Sequence, residues 1–247
     1  MDALETITLV AAGAAAGAVN AVAGGGSLVS FPALLAVGYS PVAANVTNQV
    51  GLVPGYLGGS VGYRAELGGQ SGRARSLGVT AGLGAAAGTA LLLLAPAHSF
   101  KAIVPFLVLA GCALLAFQPA LTRAAGRHRT PHPGLPLHAG TFAAGVYGGY
   151  FGGALGIVLL ALLGALLADE LQRLNALKGL LSLVVGIVGA AGFALFGPVA
   201  WGAAALVAGG SLLGGRAGAG LARRLDPGVL RWGIVVYGVA AAIILIA

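Results

Sequence analysis

Apolar residues run through this chain in long blocks separated by short polar stretches, and the block lengths predict helices. About 20 consecutive apolar residues cross a bilayer as one helix. Blocks near that length fall at residues 41–63, 76–95, 102–118, 171–196, 198–214 and 227–247. Two further blocks, 4–37 and 138–168, are too long for a single crossing. Glycines interrupt both, at Gly24-Gly25-Gly26 in the first and at Gly148-Gly149 and Gly152-Gly153 in the second. Irregular backbone persists at membrane depth only where protein buries it or it lines a wet cavity. Both long blocks are therefore expected to be helical hairpins broken at their glycines. The second arm of the first, residues 28–37, is only half a membrane long. Membrane β-barrels need short segments of alternating polarity, and stretches such as residues 234–247 do not alternate. The expected fold is an all-α polytopic membrane protein.

Composition strengthens this picture. The chain is 58% hydrophobic and only 8% charged, against about 25% charged in a soluble domain. Glycine makes up 44 of the 247 residues. Each costs a soluble helix roughly 1 kcal/mol against alanine, but in membranes small residues let helix backbones pack closely. Pairs such as Gly13/Gly17, Gly78/Gly82 and Gly84/Gly88 are expected at helix contacts. The net charge of +7 fits an excess of cytoplasmic Lys and Arg. No nucleic-acid partner is expected, because basic and aromatic residues are not interleaved. The lone Cys112 excludes an internal disulfide. Asp2 and Glu5, with no Lys or Arg in the first ten residues, argue against a secretory signal.

Charge also orients the chain. Basic residues cluster at Arg64, Arg73 and Arg75, at Arg123, Arg127 and Arg129, and at Arg216, Arg223, Arg224 and Arg231. All three clusters face the cytoplasm only if the block at 138–168 returns to its own side as a hairpin. Sliding the chain over itself by 127 residues aligns Gly25 with Gly152, Gly26 with Gly153, Asn48 with Asn175 and Gly62 with Gly189. Two repeats are thus expected, residues 1–126 and 127–247, each a broken hairpin followed by three transmembrane helices. The first starts outside and the second inside, which makes them inverted, a common plan for secondary transporters.

The candidate chemistry lies at the breaks and just after them. Helix N-termini carry roughly half a positive charge and bind anions. Gly24, Gly25, Gly26 and Ser27, with Gly152 and Gly153, would present such amides, and Ser27 adds a hydroxyl. The alternative is that these glycines only permit tight turns. Asn48 and Asn175 follow the breaks at equivalent positions. They are read either as neutral donors to a substrate or as interhelical glue, with Gln49 and Thr47 as lesser candidates. Lys178 lies on the same helix face as Asn175. An intramembrane lysine is a functional hypothesis by default, although it could also snorkel to the headgroups. The four histidines sit in or beside loops without metal spacing. The run from Gly215 to Gly220 follows a membrane helix rather than the strand a dinucleotide loop needs. No Gly-Lys-Ser/Thr phosphate loop is present, so no ATP drive and no cofactor are expected.

At this point the chain resembles a known family. Residues 148–153 (Gly-Gly-Tyr-Phe-Gly-Gly) and 169–178 (Asp-Glu-Leu-Gln-Arg-Leu-Asn-Ala-Leu-Lys) are similar to the second-half signature of the TauE/SafE sulfite exporters. Gly24-Gly25-Gly26-Ser27, then Phe31-Pro32-Ala33-Leu34 and Thr47-Asn48, resemble the first-half counterpart. Two departures stand out: Gly179, where the family often has asparagine, and Gly153-Ala154, where Ala-Gly is more usual. The resemblance implies export of a small sulfur-containing anion, such as sulfite, sulfoacetate or a related organosulfonate, across the cytoplasmic membrane.

The expectation is therefore a non-enzymatic secondary exporter. Gly25, Gly26, Ser27, Asn48, Gln49, Gly152, Gly153, Asn175 and Lys178 are its candidate substrate-binding residues. Its partners would be a small anion and the lipid bilayer, with a homodimer left open. The rivals are an anion channel, a structural membrane subunit and an intramembrane enzyme. The last lacks a histidine to pair with its few mid-membrane serines.

Overall fold

The computed structural model describes residues 1–22, 24–124, 133–221 and 227–246. Ten helices are formed among them: α1 (Ala3–Val22), α2 (Ser27–Ala36), α3 (Pro41–Gly62), α4 (Ser71–Leu94), α5 (Ala97–Ala124), α6 (Leu135–Tyr150), α7 (Leu155–Leu166), α8 (Leu171–Phe196), α9 (Trp201–Leu221) and α10 (Pro227–Ile246). Four of them, α1, α4, α5 and α8, are long and apolar enough to cross a membrane. The elements among the described residues are all helical, and the chain is a multi-pass membrane protein. The 126/127 division, Arg127, Arg129, Arg223 and Arg224 lie outside the described residues.

Both long apolar blocks are broken helices. α2 has 10 residues and α7 has 12, or about 15 and 18 Å at 1.5 Å per residue. Each spans little more than half a hydrocarbon core of about 30 Å. Both pairs fold back as hairpins. The Tyr39 hydroxyl just after α2 reaches Met1 Sδ before α1, at 3.6 Å. In the second pair, His138 at the start of α6 lies 3.2 Å from Ser76 and 2.8 Å from Thr80 on α4. Asp169, just after α7, pairs with Arg73 in the first turns of the same α4. The start of α6 and the end of α7 therefore share one end of the bundle.

Several helices outrun their apolar blocks. α4 begins at Ser71 rather than 76, α5 covers 97–124 rather than 102–118, and α9 covers 201–221 rather than 198–214. The added turns carry residues such as Arg73, Lys101 and Arg216. Backbone hydrogen bonding continues past the point where an apolar criterion stops. Residues 198–200 are non-helical instead, and the Ala200 amide donates to Thr47 Oγ1 at 3.0 Å.

Glycines determine how the helices meet. α1 packs along α9, and α6 packs along α4. A Cβ on Gly13 or Gly17 would run into the α9 backbone at Val207 or Ser211. One on Gly84 or Gly88 would run into α6 at Phe142 or Val146. These small-residue pairs bring backbones into contact, as membrane packing favours. Gly78 and Gly82 do not, for their nearest neighbours are valine side chains at 3.6–4.0 Å. The pairings correspond between the two halves of the chain. α3 contacts α9 as α8 contacts α4, α2 contacts α10 as α7 contacts α5, and α3 meets α8 directly.

Candidate functional site

The two breaks are built alike. Gly24 and Gly152 both take the left-handed conformation, with φ of +83° and +75°, which glycine adopts without steric penalty. Each sends its amide back five residues, Gly24 to the Val19 carbonyl at 3.0 Å and Gly152 to the Tyr147 carbonyl at 3.1 Å. This satisfies a carbonyl at the end of the first arm. The second arm of each pair then starts afresh, and the breaks touch across the bundle. Gly156 on α7 donates its amide to the Gly24 carbonyl at 3.2 Å, and neither glycine has room for a Cβ against the other. Gly153 lies under the Phe151 ring with no room for a side chain, and Ala154 is forced to φ +61°. That conformation costs a non-glycine residue about 1–2 kcal/mol.

Several amides at the breaks are already used, those of Gly24, Gly152, Leu155 and Gly156 by backbone carbonyls. The Gly26 amide donates to Asn20 Oδ1 at 2.8 Å, so Asn20 on α1 caps the start of α2. A narrow cleft lies between α1, α3 and α8. Its wall includes Asn20, Gly24, Tyr56, Ser60, Tyr63, Asn175, Lys178, Gly179 and Ser182. Lys178 is only 3% exposed, and no carboxylate pairs with it among the described residues. Asn20 Nδ2, Ser60 Oγ, Ser182 Oγ and Asn175 Oδ1 are buried and have no hydrogen-bond partner. Buried polar atoms are nearly always paired, and an uncompensated buried charge is costlier still. A cleft with one cation and three unsatisfied donor groups is chemically matched to a small oxyanion. A Cβ at Gly179 would stand 3.8 Å from Ser60 Oγ, an ordinary contact distance.

The other candidates are distributed around this cleft. Ser27, Gln49 and Gly152 line a small neighbouring cavity, together with Tyr56, Gly148, Leu155 and Ser182. Gln49 also donates to the Gly149 carbonyl at 3.4 Å. Asn48 is fully buried and accepts from Ser30 on α2, which ties α2 to α3. Gly25, Gly26 and Asn48 do not line either cavity, and neither does Gly153. Asn20, Tyr56, Ser60 and Ser182 are the residues that sequence reasoning passed over. A signal for them exists. Ser182 follows Lys178 by four residues and Asn175 by seven, and Ser60 follows Tyr56 by four. These spacings place each set on one helix face.

At the shared end of α4 and α8, Asp169 receives Arg73, the Arg173 Nε at 2.9 Å and the Glu170 amide at 2.9 Å. Partial burial raises its pKa. The Glu170 amide and the two arginines outweigh that effect and hold the carboxyl below its ordinary value. Arg173 also donates to the Gly68 carbonyl at 3.1 Å, and Gln70 donates to the Arg173 carbonyl at 3.1 Å. The α3–α4 and α7–α8 connections are thereby joined.

Comparison with known proteins agrees with this architecture. The chain is 29% identical over 211 residues to a "Probable membrane transporter protein" of Haemophilus influenzae, covering 85% of this chain and 82% of that one. It is 29% identical over 207 residues to the "Probable membrane transporter protein YfcA" of Escherichia coli K12, covering 83% and 76%. It is 28% identical over 241 residues to the "Probable membrane transporter protein ORF9" of a Sinorhizobium species, covering 94% and 88%. No solved structure matches the chain. The model of the family described as "Sulfite exporter TauE/SafE" matches residues 9–245, and the chain, a membrane transporter, belongs to that family.

Proposed function

We propose that this protein exports a small sulfur-containing oxyanion across the cytoplasmic membrane, holding it at Lys178 between two inverted halves. The observation that carries this reading is the buried, uncompensated Lys178, which faces a cleft lined by unsatisfied Asn20, Ser60 and Ser182 donors. An anion bound there would neutralise the lysine and satisfy the donors together. Asn175, Gln49, Ser27 and Gly152 extend the polar lining, while Asn48, Gly25, Gly26 and Gly153 shape the breaks that position it. The family's printed description supplies sulfite as the first substrate to test, with sulfoacetate as an organosulfonate. Support for the inverted arrangement comes from the hairpins. The first has its open end at Met1 and Tyr39, the start of α3, whereas the second has its open end at the start of α4. Helix pairings that exchange between halves are what alternating access by rocking one repeat on the other would use. An inside-negative potential favours loss of negative charge by about 2.3 kcal/mol per charge per 100 mV, so export needs no coupled ion.

The test is uptake of labelled sulfite and sulfoacetate into proteoliposomes, wild type beside Lys178→Met and Asn175→Ala. Saturable flux in the wild type and its loss in folded Lys178→Met protein is the expected result. Equal flux in Lys178→Met would remove Lys178 from the pathway. Flux that never saturates would indicate a channel instead.

A further inference from the structure

The Lys178 cleft and the neighbouring cavity are separate spaces that share two residues, Tyr56 and Ser182. Their chemistry differs. The first holds a full positive charge. The second has no Lys, Arg or His in its lining, but Ser27 and Leu155, the first residues of α2 and α7, both reach it. The N-terminus of α2 carries roughly half a positive charge and reaches the cavity at Ser27, whereas the Leu155 and Gly156 amides that open α7 are bonded to the Gly152 and Gly24 carbonyls. An independent feature points to a ligand. Ser182 is 3% exposed, lines both spaces, and its hydroxyl has no partner.

Tyr56 forms the partition. It lines the Lys178 cleft together with Asn20 and the second cavity together with Ser27. Its ring lies against Gly186 on α8, where a Cβ would come within 3.2 Å. The glycine leaves the ring clearance that any larger residue would remove. At the positions offset by 127 residues from Lys178 and Ser182 stand Gly51 and Gly55. A Cβ on either would meet Val207 or Ser211 of α9. The cation and the shared hydroxyl thus belong to one half only, and the two spaces are electrostatically unequal.

We infer that the second cavity is a distinct, charge-neutral anion subsite, with Ser182 as the shared donor and the Tyr56 ring as the shutter between it and the Lys178 cleft. This rests on the anion-transport reading above. A two-step path has a physical advantage. An anion held by a lysine alone in low dielectric leaves slowly, whereas transfer onto the α2 dipole and hydroxyls weakens the hold before release. Ser27 and Tyr56 would then act on passage more than on capture.

The experiment measures equilibrium binding of labelled sulfite, sulfoacetate and sulfate to purified protein beside flux in proteoliposomes, for wild type, Ser27→Ala, Tyr56→Phe, Gly186→Ala and Lys178→Met. Monodispersity confirms folding. Expected for Gly186→Ala is binding within about twofold of wild type and flux reduced roughly tenfold by a jammed ring, and for Ser27→Ala a roughly tenfold flux loss that exceeds its loss of binding, the weight of one lost hydrogen bond. The conservative Tyr56→Phe should, like Gly186→Ala, keep binding and slow flux. If these variants lose binding and flux in proportion, the two spaces are one site and the inference falls. If they change neither, the second cavity is off the path and the inference falls. Wild-type binding that survives in Lys178→Met overturns the parent reading instead. Absence of binding of all three anions to the wild type overturns both.

Discussion

The two helix breaks share a backbone but not a chemistry. Gly24 and Gly152 have the same left-handed geometry and the same five-residue hydrogen bond. Beyond that they diverge. Asn20 caps the first break through the Gly26 amide. At the corresponding place, four residues before Gly152, the second has Gly148, whose Cβ would meet Val185 and Leu155 side chains at 2.7 and 2.8 Å. The second break is supported from outside itself, by the Gly24 carbonyl on the Gly156 amide. A similar divergence holds for the helices that follow. α8 carries Lys178 where the 127-residue offset places Gly51 on α3. Two breaks of matching backbone lean on each other, while the cap stands on α1 and the charge on α8. Matched backbones suit a path that works from both sides. On the proposed two-step path, the unequal charge would make one end tight and the other loose.

The comparison is broken most severely at Lys178. Lys178→Met is expected to reduce anion flux by about 100-fold, the scale of a lost charged hydrogen bond. It should also leave the thermal midpoint unchanged or raised, because an uncompensated buried charge is removed. A lowered midpoint in a melting curve would recast Lys178 as structural. Next in size is Gly148→Asn, which copies the first half's cap into the second. With no room beside Val185 and Leu155 it should destabilise the fold by about 1–3 kcal/mol. Unchanged denaturation would show that the second break is more open than the geometry here.

Asn20 sharpens the contrast at smaller cost. Asn20→Ala removes the α2 cap and should lower stability by about 1 kcal/mol. Asn20→Asp retains the acceptor for the Gly26 amide but places a carboxylate in the wall of the Lys178 cleft. Thermal unfolding should therefore report Asp close to wild type and more stable than Ala, while a flux assay reports the greater loss for Asp. The reverse order in flux would separate Asn20 from the anion. The smallest effect is expected at Asp169. Its pKa is depressed in the folded state, so its contribution is present above the ordinary carboxylate range. It is lost as pH falls through the lowered folded value. Asp169→Asn should cost about 1 kcal/mol or less at neutral pH, as partly exposed pairs do. The difference from wild type should vanish in strong acid. A difference that grows on acidification would contradict this.

Much of the scaffold was legible in the residue order, and most of the site was not. Glycine clusters within over-long apolar blocks marked both hairpins, because irregular backbone inside a membrane has few other readings. The helix ends were misplaced at Ser71, Ala97 and Leu221, where polar turns continue beyond the apolar run. The gapless offset of 127 residues aligned Gly25 with Gly152. The left-handed glycines are 24 and 152, so the breaks correspond at 128 while Asn48 and Asn175 correspond at 127. Equivalence in sequence also concealed a difference in use. Asn48 bonds to Ser30 in the interior, whereas Asn175 faces the cleft. Lys178 could not be told from a snorkelling lysine until its burial was known. A single asparagine, tyrosine or serine in an apolar run reads equally as interhelical glue. Only the convergence of α1, α3 and α8 brings Asn20, Tyr56, Ser60 and Ser182 to one cation.

The central claim is that an oxyanion completes the Lys178 cleft, and thermal unfolding of purified protein across a sulfite titration tests it most directly. A ligand at 100 times its Kd stabilises the folded state by about 2.7 kcal/mol. The account predicts a saturable rise in the wild-type midpoint that is absent in Lys178→Met, whose own midpoint without sulfite is at least as high. An equal rise in both proteins, or a sulfite-dependent rise in Lys178→Met alone, would contradict it.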